Sequence, residues 1–407
     1  MTGGVRRILF VHYTTPQILG GVEQVMAAHI AALQAAGKEV AVLAGRGGAK
    51  PRGVRVIRVA EADSRHPAVE RDLAVLSKGV VSPEHEKLVA RLAAKIRPHV
   101  ERADRVVVHN VMTMPLNLAL TSVLASLARE HPGRFIAWTH DIAYFDERYA
   151  ALRREGAPWD TVSRAIPGVR YVTVSQERAQ QLSGLTGLAR DDIEVVTNGV
   201  DVGEVLGLAP TGLHLAHRLR LFDADPLLLL PVRLTRRKRI EAAIDATAVL
   251  RRRGHAAVLV VTGSVGPHDA RNNAYLAELS ARAKEVEGVH LLAALGLRVQ
   301  YGTVVDLYAL ADVLVFPSES EGFGIPMLEA GLHRMPIVCS DIPALRETGG
   351  DDPIYVPPDA SGERIADAIE QALDTPVMRM RRRARSHAWP RVLRERVLPI
   401  ILEDQRS

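Results

Sequence analysis

The chain carries a single cysteine, Cys339, in 407 residues, so neither an intrachain disulfide framework nor a multi-cysteine zinc site can be built. Aromatic residues are scarce at 4%, and none are interleaved with basic residues to make a stacking platform for bases, so nucleic acid is not an expected partner. No apolar run approaches the ~18 residues of a membrane-spanning helix. Near the N-terminus Arg6 and Arg7 precede only a short apolar stretch, Ile8 to Val11, before His12 and Tyr13. That is too short for a signal-peptide core, and the expectation is a cytoplasmic protein. The basic stretch Arg379 to Arg396 leaves peripheral contact with the inner face of a membrane as a further option, although a solvated C-terminal helix is the plainer reading of such a run. Lysine is rare too: Lys238 is the only one between Lys95 and Lys284.

What is present is ordinary globular composition, with 47% apolar and 24% charged residues and a net charge of +5. The mild excess of arginine suits anionic ligands. At ~100–200 residues per domain the length allows two domains or three small ones. Short apolar strands alternate with longer amphipathic helices, the rhythm of an α/β protein with parallel sheets. In the first half, strands are expected at 7–12, 39–44, 54–59, 105–109, 134–139, 171–175 and 193–196. Helices are expected after Gly20-Gly21 and after Ser82-Pro83, where a capping serine precedes proline at the first helical position. Residues 203–225 are less periodic and broken by Gly207, Pro210 and Gly212, which reads as a linker. The rhythm then restarts, with strands at 227–232, 257–262, 290–293, 313–317 and 336–340. Helices are expected at 238–252, around 273–286, from Pro326 and after Ser361. The expected architecture is two Rossmann-like doubly wound domains facing across a cleft, 1–202 and 203–385, with a terminal helix at 386–407. In such sheets ligands lie beyond the C-terminal ends of the strands.

The most informative strand end is Val313 to Ala330, VLVFPSESEGFGIPMLEA. A buried strand runs into a polar loop, Glu321-Gly322-Phe323-Gly324, and Pro326 opens a helix that should place Glu329 in its first turn. Gly322 and Gly324 would let backbone N–H groups approach a ligand. Two carboxylates eight positions apart, free N–H groups and a helix N-terminus suit a sugar diphosphate. The residues alone leave open that Glu321 caps a loop and Glu329 offsets the helix dipole. Arg233 follows one strand and Lys238 opens the next helix, so both can point at one anion. In a chain that nearly always chooses arginine, a lysine there suits a compact ammonium, though a solvated run Arg236 to Arg239 is the alternative. His140 closes the strand 134–139, followed by Asp141. Gly20 and Gly21 stand in the first ligand loop, which is not the G-x-G-x-x-G of nicotinamide binders and can equally be a plain helix entry. Thr262-Gly263-Ser264 follows a strand of the second half. Ser175 and Asn198 read as hinge and packing residues.

These motifs, in this order, resemble retaining glycosyltransferases of the GT-B fold, specifically family 4. The resemblance rests on Gly-Gly-Val-Glu at 20–23, Asn-Gly-Val-Asp at 198–201, Arg233-x4-Lys238, the E-x7-E pair Glu321 and Glu329, and the terminal Ala388-Trp389. It spans nearly the whole chain and implies transfer of a hexosyl group from a nucleotide sugar, GDP-mannose or UDP-glucose foremost with UDP-N-acetylglucosamine next. The acceptor hydroxyl would belong to a small glycoside, a polysaccharide or a lipid-linked sugar. By the resemblance Glu321 holds the donor sugar, Glu329 the ribose, and Gly322, Phe323 and Gly324 line sugar and diphosphate. Arg233 and Lys238 stabilise the departing nucleotide. His140 hydrogen-bonds the donor sugar, and Asp141 orients its ring or meets acceptor. Gly20 and Gly21 lie against diphosphate or acceptor, and Gly263 lies near the nucleotide. The terminal helix is implied to cross back to the first domain, and domain closure to exclude water. No metal or other cofactor is expected: Asp223-x-Asp225 precedes its strand instead of following it, unlike a metal-binding D-x-D. A nucleotide-sugar epimerase and a non-catalytic sugar-nucleotide-binding protein are the rival readings. The chain departs from the family pattern after Glu329, where Met335 stands in place of a glycine.

Overall fold

The computed structural model describes residues 5–16, 20–48, 53–145, 149, 152–263 and 271–403. The chain divides into two compact units, Met1–Gly199 with Val392–Ser407, and Val200–Arg391.

The first unit is built on a seven-stranded sheet ordered β3-β2-β1-β4-β5-β6-β7. Its strands are β1 Arg7–Val11, β2 Glu39–Ala44, β3 Arg55–Arg58, β4 Arg105–His109, β5 Phe135–Thr139, β6 Val169–Thr173 and β7 Ile193–Val195. All pairings are parallel. Every residue of β4 and β5 is buried, which is why these strands read as continuous apolar runs instead of alternating. Helices cover the faces, and their entries are fixed locally: Ser82 Oγ accepts from His85 N at 3.3 Å, Asn117 Oδ1 from Leu120 N at 3.0 Å and Ser175 Oγ from Arg178 N at 3.1 Å. Each bond satisfies one orphan donor of a helix terminus. The terminal segment belongs to this unit, where the Arg105 and Arg170 guanidinia donate to the carbonyls of Ile401 at 3.2 Å and Ile400 at 2.8 Å.

The second unit repeats the plan with six strands ordered β10-β9-β8-β11-β12-β13. These are β8 Leu227–Leu230, β9 Val258–Val261, β10 Val289–Leu291, β11 Val313–Phe316, β12 Ile337–Ser340 and β13 Ile354–Val356. In each sheet the direction of winding reverses once, between β1 and β4 and between β8 and β11. Those reversals open the crevice in which doubly wound sheets take their ligands.

Three sequence expectations are corrected. Residues 203–225 are not a linker: Val202–Leu206 and Pro210–Arg218 are helical. They dock on the second unit, where Ala209 N donates to Asp306 Oδ1 at 3.2 Å. Gly212 approaches Asp306 so closely that a Cβ there would lie 2.1 Å from its carboxylate, so the glycine that breaks the periodicity is the contact itself. The helix after β11 begins at Ile325, not Pro326, which moves Glu329 out of the first turn. Finally, the basic helix Pro376–Ser386 spends its charge internally: Arg379 pairs with Asp374, Arg382 with Asp225, and Arg381 and Arg385 both with the buried Asp312. Asp312 also accepts from Leu227 N at 2.8 Å, so this helix is bolted to the sheet.

Candidate functional site

In the second unit the two strands flanking the reversal deliver their following loops to one place. After β8 the chain makes a short 3-10 turn, Arg236–Lys238, and swings through Arg239 in the left-handed region at φ 46° before the helix Ile240–Arg252. After β11 comes the loop carrying Glu321. Lys238 Nζ donates to Glu321 Oε1, with side chains only 9% and 8% exposed. Arg237 Nη1 stands 3.7 Å from Glu321 Oε2 and donates to the Ser320 carbonyl at 2.6 Å. Glu319 N donates to the Arg237 carbonyl at 2.8 Å, and the ammonium lies 5.4 Å from the Phe316 ring centroid. Burial lowers the Lys238 pKa, and the Glu321 carboxylate opposes that shift. The structure therefore joins Lys238 and Glu321 in a preformed, largely desolvated pair.

Arg233 is exposed at the end of β8, and its positive charge is one of those that lower the Lys238 pKa. Its backbone is set by Gly263 across the sheet, where a Cβ would stand 1.7 Å from the Val232 carbonyl oxygen and 2.7 Å from Arg233 Cα. Ser264 lies outside the described residues. Gly324 is the N-cap of the helix Ile325–Leu332, at φ 97°. A Cβ there would meet Leu345 at 2.7 Å, so only glycine fits both the backbone and the space. Gly322 borders open space, Phe323 exposes its ring, and the Phe323 carbonyl accepts from Thr348 Oγ1.

Glu329 is held by side chains other than those of the Lys238–Glu321 pair. Tyr301 OH donates to one of its oxygens at 2.5 Å and Tyr308 OH to the other at 2.6 Å. Tyr308 is buried and stacks on His333 at 5.8 Å, whereas Tyr301 is exposed. Both tyrosine pKa values are raised, for Tyr308 by burial first and for Tyr301 by its hydrogen bond to Glu329. Sequence reasoning missed both tyrosines because the helix Tyr301–Leu310 that carries them was not recognised.

The first unit has its own cluster at the corresponding reversal. Three adjacent strands end in histidine: His12 just beyond β1, His109 at the end of β4, and His140 just beyond β5. His12 Nδ1 donates to the His109 carbonyl at 2.9 Å, and His109 Nδ1 lies 3.1 Å from His140 Nε2. Asn110, left-handed at φ 60°, accepts the N–H groups of His140 and Asp141 at 2.8 and 3.1 Å on one oxygen. Asp141 does not orient the His140 ring: its carboxylate accepts from Asn110 Nδ2 at 3.0 Å and lies 3.9 Å from Arg178. Burial lowers His140 to about 4 and His29, packed edge-on against Trp138, to about 3.

Gly20 caps the first helix in extended conformation and Gly21 begins it, bordering open space. In the first turn of that helix, Glu23 turns toward the histidine cluster. It accepts from Thr14 Oγ1 at 2.6 Å and lies 3.7 Å from His12 Nε2, and contact with His12 draws its pKa down to about 2 against the effect of burial. His12, His109 and Asn110 escaped the sequence reading, which took in Glu23 only as part of the Gly-Gly-Val-Glu motif, although a histidine closing each of three buried strands was the available signal. Among the described residues no group of three or more histidine, cysteine, aspartate or glutamate side chains is arranged to hold a metal ion, and no helix is long and apolar enough to cross a membrane.

Residues 19–204 match the family model described as Glycosyltransferase Family 4, and residues 216–389 match Glycosyl transferases group 1. The chain is 31% identical over 208 residues to an uncharacterized glycosyltransferase of Methanocaldococcus jannaschii, covering 48% of this chain and half (50%) of that protein's length. It is 26% identical over 313 residues to the alpha-D-kanosaminyltransferase of Streptomyces kanamyceticus, covering 73% of this chain and 72% of that one. Among solved structures, Anabaena HepE in complex with UDP and glucose aligns over 97% of this chain and 99% of its own, at 17% identity and a TM-score of 0.35.

Proposed function

Since the chain belongs to the group 1, family 4 type of glycosyltransferases, whose two models between them take in both of its units, we propose that it transfers a hexosyl group from a nucleotide sugar to an acceptor hydroxyl with retention of anomeric configuration. UDP-glucose and GDP-mannose are the donors of first choice, and a small glycoside, a polysaccharide or a lipid-linked sugar the acceptor. The observation that carries the reading is the buried Lys238–Glu321 pair at the strand reversal of the second sheet.

The chemistry follows from these groups. The acceptor oxygen bonds to the anomeric carbon as the bond from that carbon to the diphosphate oxygen breaks, and the acceptor proton passes to the departing diphosphate. Negative charge grows on the leaving group. Lys238 and Arg233 are the cations we assign to it, supplying from side chains the neutralisation that a metal would otherwise provide. Glu321 accepts hydrogen bonds from sugar hydroxyls, and its grip on Lys238 keeps the ammonium aimed without substrate. Glu329 takes the ribose diol. Tyr308 is locked by burial, so the hydroxyl that the ribose displaces is that of the exposed Tyr301. Gly322, Phe323 and Gly324 offer backbone to the diphosphate, with Gly263 near the nucleotide. On the first unit His140 donates to the donor sugar, while Gly20, Gly21 and Asp141 serve donor or acceptor.

A binding and slow-hydrolysis screen of UDP-, GDP- and ADP-sugars in EDTA tests this reading. We expect one nucleotide sugar to bind and turn over, with turnover abolished in Glu321→Ala and Lys238→Ala. Variants behaving like the parent would rule out the assignment.

A further inference from the structure

His109 is fully buried, with its ring stacked on Phe10 at 5.6 Å and on Trp138 at 6.0 Å and flanked by His29 at 5.5 Å. One edge of the ring, Nδ1, faces His140 Nε2 at 3.1 Å. The other, Nε2, is buried and has no hydrogen-bond partner among the described residues. A single proton lies between the two rings, and either ring can carry it. If His140 donates, the neutral His109 must carry its own proton on Nε2, stranding a buried N–H donor with no acceptor in reach among Phe10, Trp138 and His29. If His109 donates from Nδ1, that pocket receives only a ring lone pair. Buried orphan N–H groups are the rarer and costlier case.

We infer that His109 is a positioning residue that donates from Nδ1 to His140 Nε2 and so locks His140 in the Nδ1–H tautomer. The lone pair of His140 is consumed within the protein, and its remaining edge presents N–H. His140 therefore meets ligand as a neutral hydrogen-bond donor and has no nitrogen left to act as a base. Burial keeps both His140 and His109 from becoming cations, so the contact joins two neutral imidazoles. The backbone is prepared for the same end, since Asn110 holds the His140 N–H at 2.8 Å and His12 holds the His109 carbonyl at 2.9 Å, fixing both histidines at the sheet edge. A hydrogen bond to one ring nitrogen decides which tautomer the other presents.

That the recipient of this N–H is a sugar oxygen rests on the function proposed above; the tautomer itself does not. The test is nitrogen-15 NMR of the full chain labelled at histidine, with His140 assigned through His140→Gln. The expected spectrum at neutral pH shows His140 protonated at Nδ1 and bare at Nε2. In His109→Asn the side-chain amide replaces the Nδ1 donor, so the tautomer is kept and part of the rate recovered. In His109→Phe the ring stack survives without a donor, so the tautomer is lost and kcat falls roughly tenfold with little change in KM, the loss of one hydrogen bond. A wild-type His140 protonated at Nε2, or a tautomer unchanged in His109→Phe, overturns the inference. The wild-type spectrum decides the matter even if the phenylalanine variant does not fold. Absence of glycosyl transfer by the wild-type protein alongside the expected spectrum would instead contradict the proposed function and leave the tautomer standing.

Discussion

At the scale of single residues, the buried pair Lys238–Glu321, to which we assign most of the chemistry, is the point most sensitive to substitution. Removing either partner leaves a charge in a nearly closed space. Lys238→Ala or Glu321→Ala should each cost about 3 kcal/mol of stability. The double change Lys238→Met with Glu321→Leu should recover much of that loss, because no unpaired charge remains, while nucleotide-sugar binding stays abolished. Denaturant unfolding beside calorimetric binding separates the two effects. Gly263 is a second sensitive point. A methyl group there collides with the Val232 carbonyl, so Gly263→Ala should lower stability by roughly 1–3 kcal/mol and weaken donor binding by displacing Arg233, both readable in the same assays. Much of this site was legible in the sequence, because Arg233, Lys238 and Glu321 each follow an unmistakable buried strand. The partners that hold them were not. Tyr301 and Tyr308 reach Glu329 across 28 and 21 positions, and no local pattern announces a hydrogen bond of that span.

At the scale of elements, strands were read well and helices unevenly. Buried parallel strands such as β4 and β11 stand out as short apolar runs. Helices covered on nearly all sides, such as Leu118–Glu130, lose the polar stripe that gives an amphipathic helix its period. The segment 203–225 misled for a related reason, since Gly207 and Pro210 punctuate two short helices instead of a linker. The basic helix Pro376–Ser386 is an element whose charge is structural. Asp312 is fully buried beneath two guanidinium groups and caps the N-terminal edge of β8. Asp312→Ala should therefore destabilise the second unit by about 3–5 kcal/mol, measured by thermal unfolding. With most of this helix's arginines paired internally, we expect neutralising the exposed Arg383 to leave vesicle binding unchanged in a sedimentation assay.

At the scale of the whole molecule, one plan is used twice, with polar residues gathered at the strand reversal of each sheet, but the two units differ in how they answer to pH. The first holds His29, His109 and His140, all pushed below the usual 6.5 by burial. Folding makes these imidazoles harder to protonate, so the unfolded chain takes up protons first as pH falls. Their contribution is complete above about 6.5 and drains away as pH drops toward 4 and then 3. Glu23, held near 2 instead of 4.5, adds a loss of the same sign at lower pH. Calorimetry from pH 7.5 to 4.5 should show the transition of the first unit, reported by Trp138 and Trp159, moving down ahead of that of the second. The proposed donor site lies in the second unit, and the measurement that decides it is titration of the protein with UDP-glucose and GDP-mannose in EDTA, beside Glu321→Gln. We expect metal-independent binding of one of them by the wild-type chain, and at least tenfold weaker binding once the carboxylate that holds Lys238 is neutralised. Binding of neither sugar nucleotide, or equal binding by the variant, would contradict it.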